Sequence, residues 1–214
     1  MNLIYYIILL SILFFVLFLI HKTLGTAPKK IRILLSLCLV TVILRTIVLI
    51  SMCIIKDASL IYYLKYFTNL NYIFVPVIVM ILYYINFRFD NMSFNVNYII
   101  ALVLSVAYLI CIKLSKIIIK VDLNFGYVME LNNKKIINII VIVLLGALLL
   151  TGVLLIDKKN SNKINIILLV CYVFLTIIEN LAITMNIWIF PYSIVNEIFL
   201  MLLINKSLNG FKIK

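Results

Sequence analysis

The sequence predicts an all-α integral membrane protein, a single-domain bundle of six to seven transmembrane helices. Hydrophobic residues make up 66% of the chain and charged residues 12%, whereas soluble domains average about 45–50% and about 25%. The apolar residues form long blocks, as helical membrane crossings of about 20 residues require. They do not form the short alternating segments of a transmembrane β-barrel. These observations exclude a water-soluble fold.

Seven apolar blocks predict the helices, and the last block is the shortest. Their approximate bounds are 3–20, 33–55, 65–87, 97–112, 136–156, 164–188 and 191–205. The first block is predicted to be a retained helix. No basic side chain precedes His21, and the apolar run is longer than the core of a secretory signal peptide.

The connector between the fourth and fifth blocks, residues 113–135, is the longest. Lysines at positions 113, 116 and 120 alternate with the apolar run Ile117, Ile118 and Ile119. Basic residues three or four apart beside apolar ones are typical of a segment that lies in the lipid headgroup plane. We therefore expect a short amphipathic segment here.

The chain carries a net charge of +12, with 19 basic and 7 acidic residues. Most of the basic residues lie in connectors between apolar blocks, where such charge anchors and orients membrane proteins. We therefore expect a lipid bilayer as partner and no nucleic acid. The four cysteines, Cys38, Cys53, Cys111 and Cys171, lack the close paired spacing of a metal or redox site.

The distribution of Lys and Arg predicts the orientation. If the amino terminus is outside, eleven basic residues lie on the cytoplasmic side and seven on the other, with one more, Arg45, inside the membrane. Because basic residues are enriched in cytoplasmic loops, we expect the amino terminus outside and the carboxyl terminus in the cytoplasm. The abundance of Ile, Lys and Asn suggests a bacterial cytoplasmic membrane.

Three ionisable residues, Arg45, Glu179 and Glu197, lie within predicted helices. A charge inside the bilayer costs about 3 kcal/mol on insertion scales, so it normally faces protein or water and has a partner. Arg45 and Glu197 are both predicted near mid-depth, where they could pair between the second and seventh blocks.

Three asparagines, Asn69, Asn71 and Asn180, are predicted at the same outer depth as Glu179. Together with the three ionisable residues, they are the candidate ligand-binding residues of an outward-facing polar pocket. The alternative is structural: Arg45 and Glu197 hold two helices in register while the asparagines add interhelical hydrogen bonds. The spacing of these residues does not separate the two interpretations.

Catalysis is disfavoured by the lack of any recognisable catalytic motif. His21 is the only histidine and borders a basic connector, so partners for a metal site or a His-assisted nucleophile are missing. No glycine-rich phosphate loop and no metalloprotease or hydrolase motif occurs. We expect a non-enzymatic protein without cofactor or metal.

Three segments carry a resemblance to a known family. They are LKYFTNLNYIFVPVIVMILYYIN at 64–86, FGYVMEL before the fifth block, and IFPYSIVNEIFLMLLINKSL at the seventh. With seven helices and an outside amino terminus, the chain resembles the seven-helix amino-terminal sensing region of bacterial sensor histidine kinases and diguanylate cyclases. In that family the third helix carries an aromatic residue followed by a proline, a pattern that Tyr72 and Pro76 match.

The resemblance implies ligand sensing and signal transduction. The family's last helix leads into a cytoplasmic signalling domain, whereas eight residues follow Lys206 here. We therefore expect a sensing or accessory module that acts through a membrane or cytoplasmic protein partner. Two alternatives stay open: a small-solute transporter or its substrate-binding subunit, and an immunity or assembly factor of the membrane.

Overall fold

The computed structural model describes residues 3–55, 57–87, 93–122, 124–157, 162–185, 187 and 190–211. Within them the chain forms nine helices and one β-hairpin. The helices are α1 (Leu3–Thr26), α2 (Lys29–Ile54), α3 (Ala58–Tyr63), α4 (Lys65–Thr68), α5 (Asn71–Phe87), α6 (Asn95–Leu114), α7 (Lys134–Leu154), α8 (Lys163–Thr184) and α9 (Val195–Asn209). The strands are β1 (Ile117–Asp122) and β2 (Gly126–Leu131).

Six helical segments are long and apolar enough to cross a membrane, with α4 and α5 counted as one segment. The seventh predicted helix corresponds to α9, which has 15 residues. At 1.5 Å per residue it is about 22 Å long, shorter than the roughly 30 Å hydrocarbon core of a bilayer. The structure therefore agrees with the predicted helical bundle and with the prediction that the seventh helix is the shortest.

The bundle is built around α5, which packs against α2, α6, α7, α8 and α9. A second layer of contacts joins α1 to α2 and α9, and α8 to α7 and α9. Sequence explains the central place of α5: almost every residue from Phe74 to Leu82 is apolar and buried. Pro76 lies within this helix.

The two ends of the bundle are distinguished by their polar contacts. At one end, the ammonium of Lys22 donates to the side chains of Asn205 and Asn209, so α1 and α9 run in the same direction. At this Lys22 end the amide of Asn86 also donates to Ser207 at 3.2 Å, and the amide of Asn165 donates to Asn86 at 3.0 Å. We call the opposite end the hairpin end.

The β-hairpin packs against the hairpin end of the bundle. The thiol of Cys53 donates to the carbonyl of Phe125 at 3.2 Å, and the hydroxyl of Tyr192 accepts from the amide of Met129 at 2.9 Å. Gly126 has φ 76°, and a Cβ there would lie 2.9 Å from Cα of Cys53. Glycine is therefore required for both the turn and the close approach to α2.

Residues 113–135, for which the sequence predicts a short amphipathic segment without indicating its conformation, contain β1 and β2, which pair antiparallel from Ile117–Leu131 to Asp122–Gly126. The physical reason is local. Four β-branched residues in β1 favour an extended backbone, and the carboxylate of Asp122 accepts from the amide of Asn124 at 2.7 Å to form the turn. The spacing of the lysines did not reveal this.

The third predicted helix, 65–87, is interrupted at Asn69 and Leu70. Asparagine competes with helical hydrogen bonding through its own amide, and the Asn69 amide donates to the hydroxyl of Thr68 at 3.2 Å. The preceding connector also folds into α3, capped by Asp57, whose carboxylate accepts from the hydroxyl and the amide of Ser59. These hydrogen bonds lower the pKa of Asp57.

Other boundaries differ by a few residues from the predicted ones. The first helix extends to Thr26, because a polar residue does not end a helix and the first barrier is Pro28, which disfavours helical backbone at the residue before it. The seventh predicted helix, which is α9 in the structure, starts at Val195 and not at the predicted position 191. The predicted end of the sixth helix, position 188, lies outside the described residues, and α8 ends at Thr184.

Candidate functional site

The centre of the candidate site is Arg45, which is 1% exposed. It lies on α2 nine residues before the end of that helix, about 14 Å from the hairpin end at 1.5 Å per residue. Its guanidinium donates to the carboxylate of Glu197, to the carbonyl of Thr68 at 3.0 Å and to the carbonyl of Ser193 at 3.2 Å. The pair between Arg45 and Glu197 that the sequence predicted is present.

The two carbonyls bonded by Arg45 lie where the helical hydrogen-bond pattern stops. Thr68 is the last residue of α4, and Ser193 precedes α9. A buried carbonyl without a donor costs free energy, so non-helical backbone in the interior of the bundle needs hydrogen-bond partners from the protein. Arg45 therefore supports the break between α4 and α5 and the connector before α9 while also pairing with Glu197, a role the sequence prediction did not include.

Glu197 lies in the first turn of α9 and is 2% exposed. A carboxylate in this position is stabilised by the partial positive charge at a helix amino terminus. Arg45 adds its full charge from α2. The start of α9 is thus fixed to α2 by an ion pair that is buried on both sides.

Glu179 holds the same segment from α8. Its carboxylate accepts from the hydroxyl of Ser193 at 2.6 Å and from the amide of Asn196 at 2.7 Å. Within the described residues no Lys or Arg forms an ion pair with it. The two glutamates and Arg45 together carry a formal charge of −1 at this site.

A small inner cavity lies beside these residues, between α5, α7, α8 and the start of α9. It leaves about 10 Å³ for the centre of a water molecule, which is about the space that one water needs. Its lining residues with polar side chains are Asn71, Tyr72, Tyr172, Thr176, Asn180, Ser193, Asn196 and Glu197. Two lining atoms, Oδ1 of Asn71 and the hydroxyl of Tyr172, are buried without a hydrogen-bond partner among the described residues.

An outer pocket of about 270 Å³ lies between α8, Phe190, Tyr192 and the start of α9. Glu179 and Asn196 line it, and the rest of its surface is mostly apolar. Asn196 lines the inner cavity as well. Glu179 and Asn196 thus lie between the outer pocket and the inner cavity.

The structure brings together five of the six candidate ligand-binding residues. Glu197, Asn71 and Asn180 line the inner cavity, Arg45 bonds Glu197, and Glu179 is joined to the cavity through Ser193 and Asn196. Asn69 lies apart from the cavity lining. Whether these residues bind a ligand stays a prediction.

Several residues of the site were not foreseen, namely Tyr172, Thr176, Ser193 and Asn196. A signal for two of them was present in the sequence, since Tyr172, Thr176, Glu179 and Asn180 follow helical spacing and so share one face of α8. Ser193 and Asn196 had no such signal, because their position depends on where α9 begins. Among the described residues, no group of three His, Cys, Asp or Glu side chains is placed to hold a metal ion.

Comparison with known proteins identified no matching protein-family model, no similar curated protein and no similar solved structure.

Proposed function

We propose that this chain is a multi-pass protein of a bacterial cytoplasmic membrane that senses a small ligand at its hairpin end and signals through a protein partner. It performs no catalysis in this proposal, and its amino terminus lies outside and its carboxyl terminus in the cytoplasm. The hairpin end, with the outer pocket, then faces outward. The Lys22 end faces the cytoplasm.

Support for membrane insertion comes from the surface of the bundle. Phe14 on α1, Leu102 on α6 and Val143 on α7 are 67%, 65% and 67% exposed. Apolar surface of this extent on several helices is not found on soluble monomers and is typical of contact with lipid. The six long apolar helices add to this support.

The observation that carries the sensing proposal is the attachment of α9 at both ends. At its start, Arg45 and Glu179 hold the segment Ser193–Glu197. At its end, Lys22 binds Asn205 and Asn209. A ligand that competes for Glu179 in the outer pocket would release one of these attachments, and the rigid helix would carry the displacement to the Lys22 end, where a partner could read it.

The test is affinity purification from native membranes in mild detergent, followed by mass spectrometry of the retained proteins. Wild type is compared with Glu179→Gln and with Glu130→Gln. The second variant is the control, because it removes a carboxylate from the hairpin, where Glu130 pairs with the exposed Lys120. Recovery of a signalling kinase or cyclase in an amount that Glu179→Gln changes and Glu130→Gln does not would support the proposal. Equal partner recovery from all three proteins would contradict it.

A small-solute carrier is the second candidate function, favoured by the interruption between α4 and α5 near Arg45. Carriers often form their binding sites where transmembrane helices are broken, and the break before α5 lies against this arginine. Uptake of a solute panel into proteoliposomes tests this candidate. Accumulation that Glu179→Gln abolishes would favour the carrier, whereas a transport rate equal to empty vesicles would exclude it for those solutes.

A further inference from the structure

With both glutamates ionised, the polar site carries one more negative charge than positive charge. Arg45 is the one cation that forms an ion pair there among the described residues, and Glu197 is its partner. Glu179 receives two neutral donors, Ser193 and Asn196. Hydrogen bonds from neutral groups stabilise a carboxylate but leave its charge in place, and a charge inside the membrane normally has a partner of opposite sign.

The inner cavity offers the donor atoms that a small cation requires. Tyr172 is 0% exposed, and its hydroxyl, like Oδ1 of Asn71, lacks a hydrogen-bond partner among the described residues. Thr176 and Glu197 also line the cavity with side chains that carry oxygen. Oxygen ligands are those that hard cations prefer, so the unpartnered atoms and the missing positive charge point to the same kind of ligand.

Size and charge limit which cation fits. The space is about that of one water molecule, so a hydrated ion is too large. Calcium takes six to eight oxygen ligands, and magnesium usually keeps several of its waters. One uncompensated negative charge balances a monovalent ion, and among the abundant ones Na⁺ is the smaller.

The outer pocket and the inner cavity border each other at one shared residue. The outer pocket is lined by Glu179 and Asn196, and Asn196 also lines the inner cavity. The Glu179 carboxylate, which accepts from Asn196, therefore lies close to the oxygen-lined cavity and can balance a charge there.

We infer that the inner cavity lined by Asn71, Tyr172 and Glu197 is a binding site for one Na⁺ ion, whose charge is balanced by Glu179. The inference rests on the proposed function in that it concerns the same site and names a ligand for it. Bound Na⁺ stabilises the attachment of the Ser193–Glu197 segment to α8, and its release loosens the start of α9.

The experiment uses the purified full chain in detergent, with no partner present. Thermal unfolding is measured while NaCl replaces choline chloride at constant ionic strength, and binding is counted directly with radioactive ²²Na⁺. We expect saturable binding of one ion per chain. At a concentration 100 times the dissociation constant, the melting temperature should rise by about 5–10 °C.

Two variants locate the site. Tyr172→Phe removes the unpartnered hydroxyl and keeps the ring, and Glu179→Gln removes the charge and keeps the shape. Each should weaken Na⁺ binding at least tenfold, while Glu130→Gln on the hairpin should leave it unchanged. If Glu179→Gln fails to fold, Tyr172→Phe carries the test.

Equal stability of the wild type in sodium and choline, with no ²²Na⁺ retained, would overturn the inference and would show a cavity that holds water only. Sodium binding that Tyr172→Phe leaves unchanged would also overturn it. Neither result affects the partner recovery described above, which tests the sensing proposal separately.

Discussion

Arg45 and Glu197 form an ion pair whose side chains are 1% and 3% exposed, and the same arginine bonds the carbonyls of Thr68 and Ser193. One guanidinium thus joins α2, the end of α4 and the start of α9. Since buried ion pairs do not always stabilise a fold, the contribution of this one has to be measured with a double-mutant cycle.

Removing one member of the pair should destabilise the protein strongly. Arg45→Met leaves a buried carboxylate and two carbonyls without their donor, and Glu197→Leu leaves a buried guanidinium. Each loss should cost about 3–5 kcal/mol. The double variant should cost less than the sum of the two, because no unpaired charge remains. Unfolding titrated with denaturing detergent measures all three.

The exposed pair of Lys120 and Glu130 provides the control for that cycle. Its side chains are 59% and 23% exposed, and pairs of this kind contribute about 0–1 kcal/mol. Lys120→Met and Glu130→Gln should therefore have small effects that add. Strict additivity for Arg45 and Glu197 as well would mean that the buried pair has no coupling energy.

Gly152 on α7 should not tolerate alanine. A Cβ at this position would lie 2.2 Å from the hydroxyl of Tyr83 and 2.8 Å from a methyl of Val170, and overpacking of this kind costs about 1–3 kcal/mol. Tyr83→Phe should restore part of the loss, since it removes the nearest atom. That hydroxyl is buried without a hydrogen-bond partner in the described part of the chain, so Tyr83→Phe alone should be neutral or stabilising.

Gly146 on the same helix is the matched control for Gly152. A Cβ at Gly146 meets nothing within 4 Å, so Gly146→Ala should stabilise the helix by about 0.5–1 kcal/mol. Thermal unfolding of both alanine variants gives the comparison. Equal responses at the two glycines would contradict the close packing of Tyr83 against α7.

Tyr192→Phe should loosen the hairpin. The hydroxyl of Tyr192 accepts from the backbone amide of Met129, and the phenylalanine variant leaves that buried amide without its acceptor, at a cost of about 1–3 kcal/mol. Hydrogen–deuterium exchange should accelerate at Met129 and along β2. Tyr98→Phe, which removes a hydroxyl that donates to the carbonyl of Lys30 at the Lys22 end, should leave exchange in the hairpin unchanged.

The proposed orientation predicts which end of the bundle is labelled from outside the cell. In a background without cysteines, Ser59→Cys and Asn124→Cys at the hairpin end should react with a membrane-impermeant maleimide on intact cells. Asn209→Cys at the Lys22 end should react only after the membrane is permeabilised. The opposite pattern would show that the amino terminus is inside.

The helical class could be read from the sequence because it depends on composition and on the length of apolar blocks, which are properties of each segment alone. The pairing of Arg45 with Glu197 could also be foreseen, because two opposite charges at similar positions in apolar helices have few other partners. The hairpin was missed because the prediction relied on the lysine spacing and not on the β-branched residues of β1, and because the close approach of Gly126 to Cys53 exists only in the folded chain. A pattern of lysines does not reveal such a contact.

The details of the site depend on how distant segments meet. Where α9 starts depends on Arg45, which bonds the carbonyl of Ser193 from a helix almost 150 residues earlier in the chain. Asn69 and Asn71 looked equivalent in the sequence, yet Asn71 lines the inner cavity and Asn69 does not. The hydrophobic effect is non-directional, so the pattern of apolar residues is enough to indicate which segments form long apolar helices. Hydrogen bonds are directional, and their partners are chosen only when the packed helices place donor and acceptor together.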